Sequence, residues 1–122
     1  MDEFELIRRF FSQQEAGSGV VTGIGDDGAV LAPTPHTELV QVIDTLVSNV
    51  HFPEASDPGD VAYRAVAVNL SDIAAMGAVP RWMTLALTMP EVNESWLSGF
   101  SRGLNDAAQS FHVALVGGDT CR

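Results

Sequence analysis

From residue 81 to residue 89 the side chains alternate between two sets, with Trp82, Thr84, Ala86 and Thr88 on one side and Met83, Leu85, Leu87 and Met89 on the other. A period of two is that of a β-strand, and an apolar face of this length requires burial on at least one side. Pro90 ends the run. The segments flanking it repeat differently. Asp57-Pro58-Gly59-Asp60 is a helix start: Asp57 offers a cap, Pro58 suits the first helical position and Asp60 complements the dipole. The helix is predicted to run to about Met76, with Gly77 as its left-handed stop. After the strand, Asn93 can cap a second long helix carrying Trp96, Leu97, Phe100, Leu104, Ala107 and Phe111. Residues 112–116 read as a further strand before Gly117-Gly118-Asp119.

The first half of the chain is more broken. Asp2 can cap a short helix on which Phe4, Ile7, Phe10 and Phe11 recur at helical spacing, ending in the small and polar residues 14–19. Residues 20–31 read as an extended run interrupted by a tight turn at Gly25-Asp26-Asp27-Gly28, with a strand resuming at residues 29–31. Pro33-Thr34-Pro35 makes a turn, and residues 38–44, rich in Val and Ile, read as the next strand. Neither an internal repeat nor a low-complexity linker interrupts this order. The whole chain, residues 1–122, is expected to be one α+β domain with helices on one face of a sheet. The other face of that sheet is also apolar, so a second domain or a second copy of the chain is expected to cover it.

Composition narrows the chemistry. The formal net charge is −10 and all six basic residues are arginines. Without lysine there is no P-loop lysine and no Schiff base. Scattered arginines on an acidic chain make a poor nucleic-acid surface, so a protein of this kind that handles phosphate needs metal ions to neutralise it. No apolar run approaches the ~20 residues of a membrane span, and Met1-Asp2-Glu3 lacks the basic head of a secretory signal. A cytoplasmic protein without membrane association is the expectation. Cys121 is the single cysteine and has no internal partner.

Five aspartates stand beside glycine, threonine or a strand end: Asp26, Asp27, Asp44, Asp72 and Asp119. Any of them can be a turn residue or a solvated charge. At ~100° per residue, Asp72 falls in the stripe of Val61, Ala65, Val68 and Met76, where a bare carboxylate requires a cation. That cation is a metal ion or a salt bridge from Arg64 or Arg81. Asp44 and Asp119 follow strands and are placed to project into one cleft. Oxygen-only donor sets of this sort select hard cations such as Mg²⁺, which also bind substrate phosphates. Gly117-Gly118 permits close approach of a backbone to phosphate, or simply a β-turn. His51, before Phe52-Pro53, is a surface residue or a donor to a substrate phosphate or ring. With His36, His112 and Cys121 scattered, there is no zinc signature.

Four ordered motifs go further. Gly23-Ile24-Gly25-Asp26-Asp27, Asp44-Thr45-Leu46-Val47 with His51-Phe52, the run from Ala67 to Gly77, and Gly117-Gly118-Asp119-Thr120 together resemble thiamine-monophosphate kinase. The likeness extends from Phe4 to Arg122 and includes Trp82-Met83-Thr84-Leu85-Ala86-Leu87 and Trp96-Leu97. That family sits in a superfamily with aminoimidazole ribonucleotide synthetase, selenophosphate synthetase and a hydrogenase-maturation protein. The resemblance implies a homodimer whose amino-terminal sheets join into a barrel. It implies Mg²⁺ bound by Asp27, Asp44, Asp72 and Asp119, ATP at Gly118 and Asp119, and thiamine phosphate at His51. The activity implied is phosphorylation of thiamine phosphate to thiamine diphosphate by ATP, with no protein nucleophile. One departure stands out: the family commonly has a Ser-Thr pair before Asp44, and here Val42 and Ile43 leave only the Ile43 backbone carbonyl as a ligand. A carboxy-terminal domain beyond Arg122 is a further family expectation. The alternatives are a non-catalytic dimerisation and metal-binding module, or a sister activity such as selenophosphate synthesis, which calls for a reactive residue near the amino terminus that this chain lacks.

Overall fold

The computed structural model describes residues 1–12 and 17–121. In chain order it holds α1 (Glu3–Phe10), β1 (Val20–Thr22), β2 (Val30–Leu31), α2 (Pro58–Ala75), β3 (Trp82–Thr88), α3 (Glu94–Phe111) and β4 (Ala114–Cys121). The caps explain most of these boundaries. Asp2 accepts from the Glu5 amide at 2.7 Å, and Asn93 accepts from the Trp96 amide at 3.0 Å, each satisfying one orphan N–H of a first turn. Asp57 occupies the cap position of α2 but makes no side-chain cap bond, so Pro58 at the first turn sets that start. Gly77, at φ +71°, ends the same helix as expected. The expected end of the first helix at residues 14–19 lies partly outside the described residues.

The core forms where α2, α3 and the inner face of the β3–β4 pair meet. Val61, Ala62 and Val66 of α2 are buried with Leu97, Phe100, Leu104 and Ala107 of α3. Met83, Leu85 and Leu87 of β3 pack on this cluster, while Thr84, Ala86 and Thr88 are exposed, so the alternation has the predicted sense. From α1, Leu6 is the buried residue and Phe4 is 82% exposed, which corrects the expected packing stripe of that helix. The adjoining Phe11 is also buried and meets Phe100 edge to face with centroids 6.4 Å apart.

Two glycine-lined crossings let α2 and α3 approach. A Cβ on Gly103 would fall within 2.6 Å of the Gly59 Cα and closer still to its carbonyl oxygen, and one on Gly99 would lie 2.8 Å from the Pro58 ring. The helices therefore touch backbone to backbone at the start of α2.

The sheet departs from expectation. Instead of the single mixed or antiparallel sheet expected, the described residues form two pairs, β1–β2 antiparallel and β3–β4 parallel. Residues 38–44 are not a strand. Their backbone has no hydrogen-bonded neighbour among the described residues, and a β-ladder exists only where a second strand supplies one. β4 also runs further than predicted, beginning at Ala114 after a left-handed His112 cap and continuing through Gly117-Gly118-Asp119. Its register against β3 slips between Met83 and Thr84, a bulge that leaves Val116 as the extra residue. Beyond the bulge, Gly118 sits opposite Leu85.

Candidate functional site

The glycine-rich turn assigns different tasks to its two aspartates. Asp26 Oδ1 accepts from the Asp27 amide at 2.8 Å, so Asp26 holds the turn. No hydrogen bond among the described residues engages the Asp27 carboxylate, which is exposed. Asp44 resembles Asp26 in that its Oδ1 accepts from the Thr45 amide at 2.9 Å, and the residue is exposed. Ile43, whose backbone carbonyl is the remaining candidate ligand beside Asp44, is 90% exposed.

Asp72 corrects the sequence reading. It is exposed, and neither Arg64 nor Arg81 pairs with it. The cause lies along α2 and not around it. The buried residues of this helix, Val61, Ala62 and Val66, all lie in its first half, where Gly59 meets Gly103 of α3, whereas Ser71, Asp72 and Met76 in its last turns are exposed although Met76 shares the stripe of Val61. Asp72 therefore stands in the open beside a 64% exposed Met76. One turn earlier, Asn69 donates its Nδ2 to the Ala65 carbonyl at 2.9 Å, and its Oδ1 is buried without a hydrogen-bond partner.

Asp119 is not beyond a strand end but within β4, opposite Ala86, with its side chain exposed. The preceding Gly118 has φ +149°, and a Cβ there would overlap the Leu85 carbonyl oxygen. Glycine is thus required by the ladder itself. His51 lies in a loop outside the helices and strands. Its Nδ1 accepts from the Val47 amide at 2.8 Å, a partner that sequence spacing did not suggest.

The predicted site residues are all on the surface, yet the described residues include no group of three or more His, Cys, Asp or Glu side chains close enough to hold a metal ion. A groove of about 370 Å³ between α1 and α3 contains none of them. It is lined by Arg9, Glu94, Ser98 and Arg102 among others, and Arg9 bridges Glu94 across it at 3.0 Å.

Comparison with known proteins identifies the frame in which these residues sit. The family model for AIR synthase related protein, N-terminal domain, matches residues 25–122. The chain belongs to that family. Within it, the thiamine-monophosphate kinase of Haemophilus influenzae is 47% identical over 100% of this chain and 38% of its own length. The Escherichia coli K12 thiamine-monophosphate kinase is 50% identical over 98% of this chain and 37% of its own. A crystal structure of thiamine-monophosphate kinase from Stenotrophomonas maltophilia K279a superposes with a TM-score of 0.78 at 41% identity, covering 98% of this chain and 37% of that one. The chain thus spans little more than a third of the length of the relatives it matches. These are the kinases that the four sequence motifs resemble. The α+β content of the family is reproduced by the helices and two small sheets described above.

Proposed function

We propose that the chain is the ATP- and Mg²⁺-binding part of a thiamine-monophosphate kinase, which transfers a phosphoryl group from ATP to thiamine phosphate and yields ADP and thiamine diphosphate. The observation that carries this reading is identity of 47% to 50% to kinases of that name across essentially the whole chain. The surface chemistry supports it. Asp27, Asp44, Asp72 and Asp119 offer hard oxygen donors, and a chain of net charge −10 without lysine cannot neutralise a triphosphate by itself. Mg²⁺ ordinarily takes one or two carboxylates and completes its shell with water and substrate phosphates, so dispersed exposed aspartates fit it without a preformed cage. When bound, Mg²⁺ supplies neutralisation of the developing phosphoryl charge.

The roles left to this chain's own residues are positioning ones. Asp27, Asp44, Asp72 and Asp119 hold the cations, joined by the Ile43 carbonyl. Gly118 and Asp119 meet the nucleotide. His51 meets the phosphate of thiamine phosphate. No side chain acts as a nucleophile, because phosphoryl transfer of this type proceeds by alignment and charge stabilisation. We further propose a homodimer in the cytoplasm, in which a second copy covers the apolar face and completes the sheet as a barrel. None of the described helices is long and apolar enough to cross a membrane.

A chimera tests the reading. The chain replaces the matching 121-residue stretch of the Escherichia coli relative, and thiamine diphosphate formation from MgATP and thiamine phosphate is followed. Turnover by the chimera, lost on Asp72→Asn, is expected. A folded but inactive chimera would sink the assignment and favour the non-catalytic module instead.

A further inference from the structure

The loop after residue 46 is closed by its own backbone. The Val47 carbonyl accepts from the Val50 amide at 3.1 Å and the His51 amide at 2.9 Å, and the Asn49 amide donates to the Phe52 carbonyl at 2.7 Å. Asn49 takes the left-handed conformation, φ +62°, and its Oδ1 accepts from the Glu54 amide at 3.0 Å. His51 is an internal part of this frame. Its backbone N–H donates to Val47, and its side-chain Nδ1 accepts from the Val47 N–H at 2.8 Å, so both polar groups of the Val47 backbone are satisfied by one residue.

An N–H aimed at Nδ1 requires a lone pair there, and a proton on that nitrogen would set two donors against each other. A neutral imidazole with its lone pair on Nδ1 carries its proton on Nε2. We propose that Val47 locks His51 in the Nε2–H tautomer, making it a neutral hydrogen-bond donor that takes a phosphate oxygen. The tautomer follows from the loop alone; its ligand rests on the proposed kinase function. Two consequences separate this role from others. With Nδ1 committed to Val47 and Nε2 protonated, the ring has no lone pair for a metal ion, so His51 belongs to the anion and not to the Mg²⁺ ligands. For the same reason it is a positioning residue and not a general base.

Long-range proton–nitrogen spectra of the labelled chain read the tautomer directly. A protonated Nε2 and an unprotonated Nδ1 are expected, and a proton on Nδ1 would overturn the proposal. Two variants test the lock. In His51→Asn the carboxamide oxygen can stand where Nδ1 does, so the Val47 amide keeps its protection from exchange. In His51→Gln the acceptor is displaced, and protection is expected to fall roughly tenfold. Equal loss in both variants counts against the lock. Thiamine phosphate is then added to the wild-type chain, and the His51 Nε2–H signal is expected to move. Movement of other signals with His51 unmoved removes its positioning role and leaves the substrate reading intact. If no signal moves while the tautomer is as expected, the substrate reading fails and the locked donor stands.

Discussion

Asp72 shows how a residue can be placed correctly on the stripe of a helix that the core covers only in part. Its position on α2, the helix start at Pro58 and the stop at Gly77 are local facts, written in proline, glycine and dipole chemistry. How far along α2 the core reaches is not local, because it is set by where α3 crosses: Val61 near the crossing is buried, and Met76 on the same stripe is 64% exposed. The physical case for Asp72 as a ligand therefore rests on exposure and family context, and no longer on a buried charge seeking a cation. That change has a measurable side. Asp72→Asn removes no described hydrogen bond or ion pair of its side chain, so chemical denaturation should show stability within about 0.5 kcal/mol of the parent. A loss of several kcal/mol would restore a structural role. Gly118 behaves oppositely. Substituting alanine forces its Cβ into the Leu85 carbonyl oxygen at an unfavourable φ of +149°, so Gly118→Ala should cost about 2–3 kcal/mol in the same experiment. Sequence reading picked out Gly118 for phosphate approach, and the ladder supplies a structural reason that the sequence did not reveal.

At the scale of elements, β3 and α3 were the most legible, since one is a strict two-residue alternation and the other has an asparagine cap and a stripe whose buried members include Leu97, Phe100 and Leu104. Residues 38–44 were misread because a strand is a property of two segments, and their composition says nothing about where the second one is. The parallel β3–β4 pairing was equally hidden, although α3 is the kind of crossover that parallel neighbours need. The helix pair offers a decisive test of packing. Gly103→Ala places a methyl group against the Gly59 backbone, where no rotamer change can relieve it, and α2 must move away from α3. A loss of about 2 kcal/mol or more in unfolding free energy is expected. Leu97, fully buried on the same helix, should cost about 3 kcal/mol on Leu97→Ala by leaving a cavity. If Gly103→Ala proves neutral, the helices are not in backbone contact at that crossing.

For the whole molecule, the open question is what meets the surface that folding leaves apolar. Leu39 is 69% exposed, Ile43 90%, Val50 72% and Val79 80%, and the backbone of residues 38–44 has no described hydrogen-bonded neighbour. An unpaired segment with exposed apolar side chains is a template for a strand, and the proposed second copy would supply its partner. Light scattering after gel filtration should therefore find a dimer. Because Ile43 makes so little contact within the chain, Ile43→Lys should leave the fold intact while weakening association by about 2 kcal/mol, roughly thirtyfold in Kd. Charge gives the dimer a second signature. Each copy carries −10, so the pair must assemble against its own repulsion. Raising salt from about 0.01 M to about 0.1 M shortens the screening length from roughly 30 Å to roughly 10 Å. Association should tighten with salt over that range if apolar burial drives it. A dimer that instead loosens with salt would be held by ion pairs, and the apolar surface along residues 39–50 would then need a different occupant.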